Sequence, residues 1–456
     1  MIREKLSKMF RLCTLTAGLV LIITSVQAQQ DSLAGNHHNF NLNDCIQYAM
    51  GHQHDVVNAM YAKQYAQEQI RQSTGVLLPH AKITGSFQDN LKLATSLIPD
   101  FFGNPPDPSK KIPVQFGTKY TSSVTGQVDQ TVFNSDYFLG LKAAKVYSEL
   151  SVKDLDRTEI DTKASVEKAY YNVLVNEENI RLAAANLAQL KKTFEDTRSR
   201  YNAGIAETVD VSRIQVSYNN AVTRQENLQR MLAYSLDLVK FQMGMPQGDS
   251  LRLTQTVKDF SPEGLPDTLS YSYEDRVEYA LQLTRIQLNQ LSLKSTRLGF
   301  LPTLSVFANY GFNYFGPQFS DLYKNGFGNS AIGLNLSFPL FNGTERIHMV
   351  NEAKITVEQS QNDLDNLVQQ IQLGVKNAYM QYQNNLALFR TQQANMQLTQ
   401  GIYDRIVYKF DQGVSTSLDV LSAESELTRA QSDYINALLN TLMSKVDLDQ
   451  AMGKIK

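Results

Sequence analysis

Hydrophobic positions recur with two different periods along this chain. In one long stretch Val166, Val173, Ile180, Leu187, Phe194 and Tyr201 fall one heptad apart. Val375, Tyr382, Phe389, Met396, Tyr403 and Phe410 repeat the pattern further on. A sustained seven-residue repeat predicts long helices wound as a left-handed coiled coil. No proline interrupts Leu141 to Tyr201, which predicts a rod of about 90 Å at 1.5 Å per residue. Gly204 and Gly413 then stand where a glycine ends a helix, and new helical patterns follow at once, over Glu207–Met243 and Thr416–Met452. Each copy is therefore expected to form an antiparallel helical hairpin.

Four other segments alternate with period two. Over 81–93, Ala81, Ile83, Gly85 and Phe87 oppose Lys82, Thr84, Ser86 and Gln88. Over 120–133, Tyr120, Val124, Val128 and Val132 oppose Thr121, Ser123, Thr125 and Gln127. Leu304, Val306, Ala308, Tyr310 and Phe312 mark one face of 302–315, and Ile332, Leu334, Leu336, Phe338 and Leu340 one face of 331–341. Each reads as a strand long enough to cross a bilayer at a tilt, with an apolar face to lipid and a Thr/Ser/Asn/Gln face to water. A soluble sheet with one wet face is the competing reading. Four strands cannot close a membrane barrel, and an open edge is not tolerated in lipid, so several chains must contribute strands. The segment 94–119, with Gly103 and Asn104-Pro-Pro-Asp-Pro108, reads as an exposed extracellular loop.

The parts occur twice. Val166-Glu-Lys-Ala-Tyr170 aligns with Val375-Lys-Asn-Ala-Tyr379, Tyr201-Asn-Ala-Gly-Ile205 with Phe410-Asp-Gln-Gly-Val414, and Gly244 with Gly453. Leu78-Pro79 answers Leu301-Pro302, and Asp44–Ala49 is aligned with Asp275–Ala280. Each copy reads helix, strand, strand, long helix, turn, helix. The expected organisation is a first repeat over 29–246, an irregular linker over 247–271 and a second repeat over 272–456.

Composition narrows the class. Of 456 residues, 42% are hydrophobic and 19% charged, with formal net charge −2. That balance excludes a polybasic nucleic-acid binder and a highly charged disordered chain. Arg3, Lys5, Lys8 and Arg11 precede an apolar run over Leu12–Ile23, and Val26-Gln27-Ala28 suits cleavage. Residues 1–28 therefore read as an export signal. Cys13 leaves with it, and the remaining thiol, Cys45, is expected to pack as a small hydrophobe.

The order of parts, both Leu-Pro strand starts, Leu340-Phe-Asn-Gly343 and above all Gly413-Val-Ser-Thr-Ser-Leu-Asp-Val-Leu421 resemble the TolC family of outer-membrane factors. The resemblance implies an α+β membrane protein: a homotrimer with a 12-stranded β-barrel in outer-membrane lipid, joined to a long α-helical coiled-coil tunnel in the periplasm. It implies a passive duct of a tripartite efflux or export system, working with a periplasmic adaptor and an inner-membrane transporter. A duct for type I protein secretion is an alternative within the family. A non-channel coiled-coil structural protein is one outside it.

The same resemblance assigns the periplasmic aperture to Asp419, Asp210, Ser415 and Ser422. Asp419 would form an acidic ring, and Asp210 would help to hold the tip closed. Ser422 stands where many relatives have a second acid, and Ser415 where a basic residue of the tip lock is found. Three facing carboxylates would titrate together with raised pKa. Thr416-x-x-Asp419 also reads as a capping box. Adaptor docking would fall on Ala203, Gly204, Ile205, Gln412, Gly413 and Val414, and the coiled-coil seam on Phe194, Tyr201, Tyr403 and Phe410. His37-His38 and His52-x-His54 are metal-ligand types without an evident third ligand. No nucleophile–base constellation, nucleotide loop or cofactor motif is present, so no enzyme is expected and neither cofactor nor nucleic acid is implied.

Overall fold

Seven α-helices and eight strands follow one another in the described residues of the computed structural model, which are 37–101, 107–260 and 271–456. The expected export signal, Gly103 and part of the expected linker lie outside them. A short strand β1 (His37–Phe40) leads into α1 (Leu42–His52) and α2 (His54–Gly75). Asn41 and Asp44 cap α1 reciprocally, each side chain accepting the other's backbone N–H at 3.0 Å. Then come β2 (His80–Asp89), β3 (Thr95–Asp100), β4 (Asp107–Gln115), β5 (Tyr120–Phe133), α3 (Ser135–Asn202) and α4 (Thr208–Met243). The second copy follows a short strand β6 (Ser250–Leu253). It runs α5 (Val277–Leu298), β7 (Thr303–Gly316), β8 (Gly326–Ser337), α6 (Glu345–Asp411) and α7 (Ser417–Ala451).

The main sheet has the order β2-β5-β7-β8, antiparallel throughout. Its register joins the apolar sets read from the sequence into common rows. Ala81 lies opposite Val128, Val128 opposite Ala308 and Ala308 opposite Ile332. On the other face Ser86 and Ser123 share a hydroxyl hydrogen bond of 2.8 Å, and Lys82 stands 3.9 Å from Asp129. The apolar face is uncovered within one chain: Ile83 is 80% exposed and Ile332 81%. Strands β2 and β8 are the two edges.

α3 and α6 have 68 and 67 residues, or roughly 100 Å each. α3 begins earlier than the heptads suggest. Asn134, at the end of β5, caps it by accepting from Asp136 N at 2.9 Å, so strand passes into helix with no loop.

Three expectations about the connections need correction. The segment 94–119 is not wholly irregular, because β3 and β4 pair as a hairpin with Ile98 opposite Ile112. A two-stranded ribbon accommodates Pro99 and Pro113 because each strand is an edge. The linker also contributes order: β6 pairs in parallel with β1, and Thr254 N donates to Phe40 O at 3.1 Å. Thirdly, the repeat pairs α5 with α2 rather than with the helix at Asp44–Ala49. Both have 22 residues and both lead through a Leu-Pro pair into a strand. The ends of the last helices bear this out. The left-handed Gly244 packs on the backbone of His52 and Gln53, where an added Cβ would come within 2.2 Å of His52 O, while Gly453 lies beside Asp275 and Arg276. α1 is thus an extra element of the first copy.

The largest core lies where α1 crosses the hairpins. Cys45 and Ala49 pack there with Val166, Tyr170, Val173, Val239 and Leu438. Burial, assisted by the charge of Asp44, pushes the Cys45 thiol up to about 12, which keeps it protonated and inert.

Candidate functional site at the paired helical turns

The far ends of the two hairpins are built alike. At the end of α3, Gly204 adopts φ 75°, Gly204 N donates to Tyr201 O at 2.9 Å and Ile205 N to Arg200 O at 2.8 Å. At the end of α6, Gly413 adopts φ 76°, with Gly413 N to Phe410 O at 2.9 Å and Val414 N to Lys409 O at 2.9 Å. These are Schellman closures, which need a left-handed residue at this position. Nothing lies within 4 Å of a Cβ added at either glycine, so backbone conformation rather than crowding selects glycine. Ala203 and Gln412 are the capping residues just before. Ile205 and Val414 project beyond the turns, 77% and 76% exposed.

Two acids begin the return helices. Asp419 Oδ2 accepts from Thr416 N at 2.9 Å, Thr416 Oγ1 at 2.7 Å and Ser415 Oγ at 3.0 Å. Asp419 N donates to Thr416 Oγ1 at 3.3 Å, which completes the capping box. The backbone hydrogen bond from Thr416 first, then the Thr416 and Ser415 hydroxyls, hold the Asp419 carboxyl below the usual aspartate range. Within one protomer the shift is therefore downward, opposite to the rise expected from mutual repulsion. Ser422, one turn on, is exposed.

Asp210 sits differently. Its Oδ2 accepts from Glu207 N at 3.3 Å, while its Oδ1 accepts from Ser417 Oγ. It therefore joins the first turn of α4 to the first turn of α7. Two further contacts tie the hairpins here. Arg200 Nη2 donates to Asp411 O at 3.1 Å with its guanidinium 4.7 Å from the Phe410 ring centre, and Lys192 pairs with Asp411 at 3.6 Å. Between them is a cleft of about 460 Å³ lined by Arg200, Glu207, Asp210, Arg213, Ser415 and Ser417 among others. Sequence reading missed Arg200, Lys192, Asp411 and Ser417. Ser417 lies inside the quoted Gly-Val-Ser-Thr-Ser motif, but its partner is remote in the chain.

The four residues expected on the seam differ in burial between the two copies within one chain. Tyr403 and Phe410 are 3% and 6% exposed and pack with Val407, Val420 and Leu427. Phe194 is only half-buried, stacked at 5.9 Å on Tyr218, and Tyr201 is 43% exposed. Leu190, Thr193 and Thr197 are buried in their place. These three positions lie three and four residues apart, the spacing of one face of an ordinary α-helix.

The histidines have separate surroundings. His38 Nε2 lies 3.6 Å from Asp249, and His52 stacks on Tyr48 with centroids 4.0 Å apart. Among the described residues no three His, Cys, Asp or Glu side chains are grouped for a metal ion.

The sequence matches the family described as outer membrane efflux protein over residues 45–237 and 281–454. It is 24% identical over 365 residues to the probable efflux pump outer membrane protein TtgC of Pseudomonas putida, covering 75% of this chain and 72% of that one. It is 22% identical over 350 residues to the alkaline protease secretion protein AprF of Pseudomonas aeruginosa, covering 73% and 70%. In fold it resembles the Campylobacter jejuni CmeC outer membrane channel, with a TM-score of 0.70 at 17% identity over 91% of this chain and 85% of that one.

Proposed function

Because the chain belongs to the outer membrane efflux protein family, we propose that three copies assemble into one duct, the outer-membrane component of a tripartite efflux or export system. The chain is a passive outer-membrane channel, not an enzyme. The apolar rows of the main sheet face lipid, and the Ser, Thr and Asn rows face the lumen. Edge β8 of one protomer pairs with edge β2 of the next, closing a 12-stranded barrel with no free edge. The hairpins of α3–α4 and α6–α7 extend from it as a periplasmic tunnel. Residues 1–28 act as a cleaved export signal, and 29–246 and 272–456 are the two repeats about the 247–271 connection.

The observation that carries this reading is the register of the sheet. It aligns four apolar faces into one exposed surface between two unpaired edges, an arrangement that lone soluble sheets avoid. A non-channel coiled coil gives no reason for that surface. At the other end, Asp419 and Asp210 form the aperture, with Ser415 and Ser422 beside Asp419. Ala203, Gly204, Ile205, Gln412, Gly413 and Val414 form the adaptor footprint, since small turn residues flanked by exposed Ile and Val admit close packing of another helical hairpin. The likeness to the secretion protein AprF supports protein export as a second cargo class for the same duct.

Mass measurement of the detergent-purified protein, followed by conductance in planar bilayers, tests the assembly. A trimer with conductance is expected. A monodisperse monomer retaining its strand content would overturn the barrel.

A further inference from the structure

At the helical end of the sheet, one nitrogen of an arginine is buried without an acceptor among the described residues. Arg346 is the second residue of α6, just beyond the exit of β8. Its guanidinium lies 5.2 Å from the centre of the Phe300 ring. Its Nη1 is shielded from solvent and has no hydrogen-bond partner among the described residues. Gly299 makes room for it, since a Cβ there would stand 2.9 Å from Nη1. A guanidinium N–H removed from water without an acceptor is costly. Arg346 also sits at the positive end of a 67-residue helix whose N-cap, Thr344, supplies no side-chain bond, so cation and helix dipole share a sign.

The surroundings point to what answers this charge. β2 and β7 begin at this end of the sheet, and β5 and β8 finish there. An apolar collar is exposed around it: Leu78 63%, Phe133 39%, Phe300 45%, Phe338 54%, Leu340 83% and Phe341 86%. Aromatic and aliphatic girdles of this kind mark the level of lipid headgroups on a barrel.

We infer that Arg346 binds the phosphodiester of a phospholipid in the periplasmic leaflet, with the acyl chains lying on the collar. The two non-bridging oxygens suit the planar fork of arginine, and their negative charge suits the start of α6. Inorganic phosphate shares that chemistry but would leave the collar bare. This inference rests on the membrane reading above and adds a site to it.

The test is native mass spectrometry of the delipidated, detergent-purified oligomer with added dimyristoyl phosphatidylglycerol, beside the parent with dimyristoylglycerol, which lacks the phosphate, and with inorganic phosphate alone. The expected result is one tightly retained phosphatidylglycerol per protomer in the parent, weakened about tenfold in Arg346→Gln, the scale of one lost charged hydrogen bond. Arg346→Lys should recover part of the retention, and Phe300→Leu should lose less than Arg346→Gln. Dimyristoylglycerol should bind weakly and equally to all variants. Equal retention of phosphatidylglycerol by parent and Arg346→Gln would overturn the site, as would inorganic phosphate binding as tightly as the lipid. Should Arg346→Gln fail to assemble, the parent's preference for phosphatidylglycerol over dimyristoylglycerol and the Arg346→Lys result decide. A parent that needs no detergent and retains no lipid would instead defeat the membrane reading itself.

Discussion

Ser417 donates from its hydroxyl to Asp210 Oδ1, so the first turn of the last helix is fastened to the corresponding turn of the first copy. Asp419 has the same position in its own helix but spends its hydrogen bonds locally, on Ser415 and Thr416. The duplication thus produced two similar acids that each cap a helix, of which Asp210 also couples the hairpins.

Asp210→Ala and Ser417→Ala should both loosen the aperture. Each removes the bond between hairpins, and Asp210→Ala also removes a helix cap, an effect of about 1 kcal/mol. Single-channel recording should show higher open probability in both, and the double variant should add little to either single one. Fully additive effects would mean that the two side chains do not act together.

Asp419 predicts a response to acid. Its folded pKa is depressed by the Thr416 and Ser415 hydrogen bonds, so its contribution to the α7 N-terminus is present above the ordinary aspartate pKa and is lost as pH falls through the folded value. The parent should therefore show a loosening of the tip below the usual carboxylate range, read by hydrogen exchange at Val420–Ala423. Asp419→Asn should show no such step.

The same residue should govern cation block. With three Asp419 carboxylates around the axis, divalent or trivalent cations added from the periplasmic side should block conductance, because hard ions favour oxygen ligands. Asp419→Ala should abolish most of that block with the trimer intact. Undiminished block would put the constriction elsewhere.

The two seam phenylalanines should differ. Phe410 is buried under Arg200, and Phe410→Ala should cost about 3 kcal/mol in thermal unfolding of the oligomer. Phe194, half-buried on Tyr218, should cost about 1 kcal/mol when replaced by Ala, since less apolar area is lost. Equal losses would return the first-copy seam to Phe194.

The exposed turn residues should matter to the partner rather than to the channel. Ile205→Asp and Val414→Asp should abolish cross-linking to the periplasmic adaptor while leaving conductance and trimer mass unchanged. Gly413→Ala should cost about 1 kcal/mol through its left-handed backbone, with no steric penalty. Unimpaired cross-linking in both aspartate variants would remove these turns from the docking surface.

The sequence by itself determined the periods, and with them the elements. The heptads from Val375 to Phe410, the alternation from Leu304 to Phe312 and the glycines at 204 and 413 are local signals. Each reports which side of one helix or strand is apolar, or where φ must be positive, so each could be read without knowing its neighbours. The four apolar strand faces and the Asp419 capping box were legible for the same reason. Tertiary structure alone decided what depends on two remote segments meeting. The pairing of α5 with α2 emerged from packing against Gly453 and Gly244, because the likeness of Asp44–Ala49 to Asp275–Ala280 carries no information about contact. In the first copy Leu190, Thr193 and Thr197 are buried instead of Phe194 and Tyr201, a choice set by which face of the long helix meets its neighbour. The bonds of Ser417 to Asp210 and of Arg200 to Asp411 join residues more than two hundred positions apart. Only the approach of the two hairpins brings their polar atoms within reach.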